Sequence, residues 1–214
     1  MIGFIKKDLH HWLVNLNYNM ISLFIITLAL FMFTGNNFLI VMAPAYIGMN
    51  VLRSPLRDYY RGWDKFALST PLDRDTLAKS KYILYFFIII ASAIIFTILS
   101  YFLDIILEKL LLNYRGNNML DTLSLVSTSF VMNFLSGAIV FPGYYKLNPE
   151  KISVIQSASY TVIAIINYLI IVLIRDKNFE ILVPYLVIMV FASIIIYTFS
   201  WFITKSIVNN KEYA

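Results

Sequence analysis

The chain contains no cysteine among its 214 residues. Disulfides, thiolate metal sites and a cysteine nucleophile are therefore excluded, and the redox compartment is left undecided. Charge is also scarce, because Asp, Glu, Lys and Arg make up 14% of the chain, whereas soluble proteins contain roughly 25%. Hydrophobic residues make up 60%, and the mean hydropathy is +0.75. This balance predicts a polytopic membrane protein with a single domain over residues 1–214.

Motifs for nucleotide hydrolysis and metal catalysis are missing as well. The seven glycines do not form the G-x-x-x-x-G-K-[ST] pattern of a P-loop, so ATP would have to bind to another subunit. No H-E-x-x-H occurs, and no Asp or Glu lies well inside an apolar run, as an intramembrane metalloprotease would require. His10 and His11 diverge by about 100° on a helix and do not share one ligand sphere. We therefore expect no catalysis and no cofactor bound by this chain.

Six apolar segments approach the roughly 20 residues that a spanning helix requires. Helices are predicted because lipid offers no partner for unpaired backbone groups, and the runs lack the alternation of a membrane barrel. The fold class is therefore predicted to be all-α integral membrane. The six predicted spans are residues 13–33, 36–52, 82–103, 123–141, 158–174 and 181–204.

The distribution of Lys and Arg predicts the topology. Residues 1–12, 53–81, 142–157 and 205–214 hold 13 of the 17 Lys and Arg residues. The positive-inside rule then assigns both termini and the 53–81 segment to the cytoplasmic side of a bacterial plasma membrane. The net charge of +5 reports this orientation rather than binding of nucleic acid.

The N-terminal residues 1–13 are predicted to form an amphipathic helix that lies on the membrane surface before the first span. Lys6 and Lys7 would each gain roughly 1 kcal/mol from anionic lipid, with Trp12 as a further anchor in the interface. The predicted apolar face comprises Ile2, Ile5, Leu9, Trp12 and Leu13, and the predicted polar face comprises Lys6, Lys7, His10 and His11.

The 53–81 segment combines seven Lys and Arg with aromatic residues and is predicted to contain two helical pieces. Tyr59, Trp63 and Phe66 recur at helical spacing, which predicts a short helix over about 57–68. Thr70 and Pro71 form a helix start signal, from which a second helix would run into the third span. The short helix could lie on the bilayer, but mixed charge around an aromatic core is more typical of a protein-docking surface.

The second long connection, residues 141–156, lies on the same predicted side. Pro142 and Gly143 are predicted to end the fourth span, and Asn148-Pro149-Glu150 repeats the helix start signal. Both connections could touch a single partner.

Within the fourth span, Ser129, Asn133 and Ser136 share one face at i, i+4 and i+7. The ordinary role of such residues is hydrogen bonding between helices, worth about 0.6 kcal/mol each on average. A polar stripe could equally line a transport pathway, and the sequence leaves both readings open.

These features resemble the small six-span type-2 permease subunits of bacterial ATP-binding-cassette (ABC) transporters, over nearly the whole chain. The pattern has an acid, a Trp, a Pro-x-x-Arg step and a Lys-Tyr pair, followed after the fourth span by a Pro, a basic-aromatic turn and a Glu-Lys pair. The residues that carry it are Asp58, Trp63, Pro71, Arg74, Lys81 and Tyr82, and then Pro142, Tyr144, Tyr145, Lys146, Glu150 and Lys151.

The resemblance implies an exporter half that pairs with a second permease, as a homodimer or a heterodimer. Each half would dock an ATPase subunit, which binds ATP and Mg, through a cytoplasmic coupling helix placed by position at 59–66. Residues 2–13 would be the elbow helix of the family. The implied ATPase contacts are Asp58, Tyr59, Trp63, Phe66, Pro71 and Arg74, with a second contact at Tyr145, Lys146 and Glu150.

Some small members of that family export amphipathic toxin peptides such as phenol-soluble modulins, which suggests an amphipathic or hydrophobic substrate. This chain departs from larger members because only residues 175–180 separate its fifth and sixth spans, which leaves little room for re-entrant helices. Two other functions fit a six-span chain of this length. They are the substrate-binding membrane subunit of a vitamin importer and a standalone bacteriocin immunity protein, but neither requires the charged 53–81 segment.

Overall fold

A computed structural model describes residues 2–15, 25, 39–63, 74–110, 118–147, 149–175 and 179–210. Nearly all of these residues are helical and none of them lies in a strand, which confirms the all-α class. The helices are α1 (Ile2–Asn15), α2 (Leu39–Leu52), α3 (Ser54–Tyr60), α4 (Arg74–Leu110), α5 (Met119–Lys146), α6 (Pro149–Arg175) and α7 (Phe179–Asn210).

Five stretches of the described residues are long and apolar enough to cross a membrane: Leu39–Tyr60, Asp75–Ile106, Met119–Lys146, Lys151–Ile174 and Leu182–Asn210. They correspond to the second through sixth predicted spans. The first predicted span, residues 13–33, lies almost wholly outside the described residues, so the count of six stays a prediction.

The helix that enters the third span is continuous, as predicted. α4 runs for 37 residues from Arg74 through Lys81 and on to Leu110. α6 begins at Pro149. The first N–H groups of a helix have no partner within the helix, so a proline at this position, which has no N–H, loses no hydrogen bond. The charged residues from Arg74 to Lys81, and those at the start of α6, therefore belong to the same continuous helix as the span that follows them.

The prediction that Pro142 and Gly143 end the fourth span is wrong, because α5 continues through both residues to Lys146. A proline inside a helix leaves the carbonyl four residues earlier without its donor. In this chain that carbonyl belongs to Ala138, and the Ser200 hydroxyl of α7 donates to it at 2.7 Å. A tertiary hydrogen bond thus replaces the missing helical one.

The core lies where α5 packs against α7, α6 and α2. It is strongly aromatic, and Tyr85, Phe134, Phe141 and Tyr160 are almost completely buried. The Tyr85 and Phe141 rings meet edge to face with their centroids 5.5 Å apart, a favoured aromatic geometry. This core holds α4, α5, α6 and α7 together beneath the charged connections.

Candidate functional site

The short helix α3 lies at the end of the bundle that the Lys and Arg count assigns to the cytoplasm. The prediction of a helix over 57–68 is wrong in its start, since α3 begins at Ser54 with Pro55 in the first turn. It ends at Tyr60, and Gly62 then adopts a left-handed conformation with φ of 66°. Glycine is favoured there because it has no Cβ. Residues 64–68 of the predicted helix, which include Phe66, lie outside the described residues, as does Pro71.

The inward face of α3 contributes to a cluster of four charged side chains, which we call the ion cluster: Lys7, Asp8, Asp58 and Lys81. The Lys81 ammonium pairs with Asp58 and lies 3.3 Å from Asp8. The Lys7 ammonium lies 2.7 Å from Asp58 and 3.2 Å from Asp8. Lys81 also donates to the Ser54 hydroxyl at 3.0 Å. Two positive and two negative charges therefore neutralise one another inside the chain.

Burial makes the ion cluster important for the structure. Asp8, Asp58 and Lys81 are 4%, 5% and 3% exposed, so each charge depends on its partners rather than on water. Removing one partner from such a pair is costly because an uncompensated charge remains buried. The cluster joins α1, α3 and the start of α4, so α3 is fastened to the helix that becomes the third span.

Asp58 was predicted to belong to the face that docks a partner, but the structure gives it a different position. Its carboxylate faces inward to Lys7 and Lys81. The physical reason is that both ammonium groups arrive from distant parts of the chain, which local periodicity does not reveal. Asp58 therefore supports α3 from beneath and contributes no exposed contact surface.

Trp63 also contacts its own chain. It packs against Phe4 of α1 and Leu77 of α4, and the Lys7 ammonium lies 4.6 Å from the centre of its ring. That distance is within the range of a cation–π attraction. Trp63 thus closes one side of the ion cluster and ties the end of α3 to α1 and α4.

The outward face of α3 carries two adjacent aromatic side chains. Tyr59 and Tyr60 are 58% and 66% exposed, with their rings edge to face at 5.7 Å. Arg57 donates to the backbone carbonyl of Asn50 at 3.1 Å, at the C-terminal turn of α2. Rigid aromatics beside charged groups are the composition expected of a binding surface.

α1 packs differently from its predicted amphipathic pattern. Ile2 and Leu13, assigned to the apolar face, are 69% and 50% exposed, whereas Phe4 and Asp8 are buried. Ile5, Leu9 and Trp12 do contact the core, as their spacing suggests. α1 packs against α4, and its ion pairs turn the face that bears Asp8 toward the interior.

Of the three residues predicted to anchor α1 to the membrane surface, only Lys6 is exposed. Lys7 is engaged by two carboxylates, and Trp12 is half-buried against the core. His11 lies 3.4 Å from the Arg61 guanidinium. Partial burial and then Arg61 lower the pKa of His11, so its neutral ring can accept a hydrogen bond from Arg61 at neutral pH. No group of side chains suited to a metal ion occurs among the described residues.

The second predicted contact is only partly exposed. Tyr145 is 9% exposed and packs against Ala78 of α4 and Val208 of α7, so it joins helices. Lys146 is exposed. The side chains of Glu150 and Arg74 lie outside the described residues.

The polar stripe of α5 lies in the interior of the bundle. Ser129, Asn133 and Ser136 are all 0% exposed. Tyr160 of α6 donates to the side-chain carbonyl of Asn133 at 2.9 Å, and Tyr85 of α4 donates to its backbone carbonyl at 2.8 Å. Asn133 thus joins three helices, which is the geometry of a helix interface rather than of an accessible surface.

Removing the Tyr160 hydroxyl tests this interface. In Tyr160→Phe the Asn133 side-chain carbonyl loses its donor in a buried position, a loss worth about 1–3 kcal/mol. We expect a lower midpoint of thermal unfolding for the purified protein in detergent. Tyr168→Phe is the matched control, because Tyr168 lies on the same helix and is 65% exposed. Equal midpoints for the two variants would contradict the assignment.

Sequence reasoning missed Asp8, Ser54 and the pairing of Lys81. A weak signal for Asp8 exists, since it follows Phe4 by four positions and so shares a helix face with an apolar residue. For Lys81, the signal is its place immediately before a charge-free run of 22 residues, 82–103. Neither signal identifies the partner.

Comparison with known proteins agrees with the composition and the helices. The family model described as ABC-2 family transporter protein matches residues 3–209. No curated protein and no solved structure shows a significant match.

Proposed function

Since the chain belongs to the ABC-2 transporter family, we propose that it is the permease of an exporter whose ATPase subunit docks on α3. Membership of the family makes the chain a membrane permease and implies an ABC ATPase as its partner. The direction of transport, the docking position, the orientation of the termini in the cytoplasm and a second permease subunit are parts of the proposal.

Docking on α3 is supported by the combination of two features of this helix. It exposes a pair of aromatic side chains, and the buried ion cluster fastens it to α1 and α4. Tyr59 and Tyr60 project outward, while Asp58 on the same helix is held by Lys81 of α4 and Lys7 of α1. Exposed Tyr residues are frequent energetic centres of protein interfaces. A displacement of α3 by the ATPase would move α4 with it, because separating Asp58 from Lys81 would leave buried charges unpaired.

The proposed substrate is amphipathic or hydrophobic, with toxin or antimicrobial peptides as the leading class. The third span contains no charged residue over 82–103, and the polar side chains at depth in α5 are uncharged. A second permease would complete the pathway. ATP-driven accumulation of an amphipathic helical peptide in inside-out vesicles would support export, and accumulation in right-side-out vesicles alone would contradict it.

Docking is tested by Tyr59→Ala/Tyr60→Ala, with co-expression of ABC ATPases encoded beside the permease gene. We expect at least a tenfold loss of ATPase recovered with the tagged permease, because interface hot spots cost about 2 kcal/mol or more on truncation. The matched control is Tyr101→Ala/Phe102→Ala, two exposed neighbouring aromatics toward the opposite end of α4.

The double variant of α3 is expected to fold normally, because neither tyrosine is buried. A permease that keeps its thermal midpoint but loses the ATPase supports docking on α3. Undiminished co-purification of the ATPase would contradict it. If no ABC ATPase associates with the unaltered permease, a standalone function such as bacteriocin immunity becomes the better explanation.

A further inference from the structure

A groove runs between α4 and α7, and no residue of the ion cluster or of α3 lines it. Its volume is about 400 Å³, within the range of about 300–1,000 Å³ typical of sites for small ligands. Its walls are aromatic and aliphatic, formed by Ile83, Phe86 and Phe87 of α4 and by Tyr197, Trp201 and Phe202 of α7. Phe87 and Phe202 are each 64% exposed, so the groove opens on the outer surface of the described helices.

Charge distinguishes one end of the groove. Lys79 lines it one turn before the aromatic walls begin, and its side chain is exposed. Lys205 and Asp75 lie nearby and form an ion pair at 2.9 Å. Among the described residues no carboxylate pairs with Lys79. Lys205 and Asp75 neutralise each other, so among the described side chains at this end of the groove Lys79 contributes one net positive charge.

An apolar channel with a cation at its end matches the chemistry of an anionic phospholipid. We propose that the groove binds one acyl chain of such a lipid, with the headgroup phosphate at Lys79. Basic positions between spanning helices near the membrane surface are suited to anionic headgroups. Lys79 stands at the same end of α4 as Lys81, the end that the Lys and Arg count assigns to the cytoplasm and hence to the inner leaflet.

The aromatic side chains fit the same interpretation. Tyr82 and Trp201 line the groove together with Lys79. Tyr82 follows Lys79 by three positions on α4, and Trp201 belongs to the facing helix α7. Trp and Tyr side chains favour the membrane depth at which the lipid headgroups lie. The Tyr82 hydroxyl already contacts Ser200 and Thr204, at 2.8 and 2.7 Å. Tyr82 therefore presents its ring to the groove while its polar atom is satisfied inside the protein.

The experiment measures lipid retained by the purified full-length permease in native mass spectrometry. The protein is extracted from vesicles that contain equal amounts of phosphatidylglycerol and phosphatidylcholine. We expect the unaltered protein to retain phosphatidylglycerol preferentially. One lysine near the surface is worth about 1 kcal/mol, so Lys79→Gln should lower this preference about fivefold. Lys146→Gln, an exposed lysine that does not line the groove, should leave the preference unchanged.

A second pair of variants tests the groove itself. Thr198 lines the groove and is exposed, so Thr198→Trp should fill it and reduce retention of both lipids without unfolding the protein. Phe199→Trp is the control, because Phe199 is the next residue, is 64% exposed and does not line the groove.

Two outcomes would overturn the proposal. The first is an unchanged lipid preference in Lys79→Gln, and the second is full lipid retention in Thr198→Trp. If the second is accompanied by a change in subunit number, the groove is a contact between copies of the chain. None of these readouts depends on transport or on the ATPase.

Discussion

Lys81→Met is expected to be the most damaging single substitution in the charged end of the bundle. It leaves the carboxylates of Asp8 and Asp58 buried with only Lys7 between them. Breaking a buried ion pair from one side costs about 3–5 kcal/mol. Lys7 alone balances only one of the two buried carboxylates, so one negative charge remains uncompensated away from water. We expect a large fall in the thermal midpoint of the purified permease in detergent, or a failure to accumulate in the membrane.

Lys205→Met is the matched control for this substitution. Lys205 is also a lysine in an ion pair with an aspartate at this end of the bundle, but its side chain is 47% exposed. Exposed pairs contribute about 0–1 kcal/mol, so its midpoint should change little. The double variant Lys81→Met/Asp58→Asn removes one charge of each sign and should recover part of the loss. Equal effects of Lys81→Met and Lys205→Met would show that the ion cluster does not stabilise the fold.

Gly48→Ala is expected to have the second-largest effect, through crowding rather than charge. A Cβ at this position of α2 would lie 2.6 Å from the Tyr160 hydroxyl and 3.0 Å from Ile89, and would overlap the side-chain carbonyl of Asn133. Extra atoms in a packed core typically cost about 1–3 kcal/mol. The clash also displaces the hydrogen bond between Tyr160 and Asn133, so the upper part of this range is expected.

The thermal midpoint of Gly48→Ala should therefore fall, whereas that of Gly3→Ala should be unchanged or should rise. Gly3 lies in α1, where an added Cβ meets no atom within 4 Å, and alanine is the better helix former. Adding Asn133→Ala to Gly48→Ala should make the two effects less than additive, because it vacates the space that the methyl group needs. Strict additivity would contradict the contact between these positions.

Much of the architecture could be predicted from local patterns. The apolar runs identified the second through sixth spans, and the helix start at Pro149 is where the pattern places it. The same kind of reasoning failed at Pro142, where it could not anticipate that Ser200 would supply the missing donor. It also misplaced the start of α3, because the spacing of the aromatic residues indicated residue 57, whereas the helix begins at Ser54 with Pro55 in its first turn.

The candidate site shows the same division between local and long-range information. The sequence identified the 53–81 segment as the place where charge and aromatic residues concentrate, and it included Tyr59 on the proposed contact surface. It did not distinguish Tyr59, which is 58% exposed, from Asp58 beside it, which is 5% exposed. Periodicity describes which residues share a face of one helix, but burial depends on what the other helices bring to that face.

Composition, apolar run length and charge bias by themselves determined that this chain is a helical membrane protein. Those properties add up along the chain and require no knowledge of contacts. Only the tertiary structure decided that Lys7, Asp8, Asp58 and Lys81 meet, since their ion pairs join residues up to 73 positions apart. A buried charge is stable only beside its partner, so α1 and α4, which bring Lys7, Asp8 and Lys81 to Asp58, form the base beneath α3.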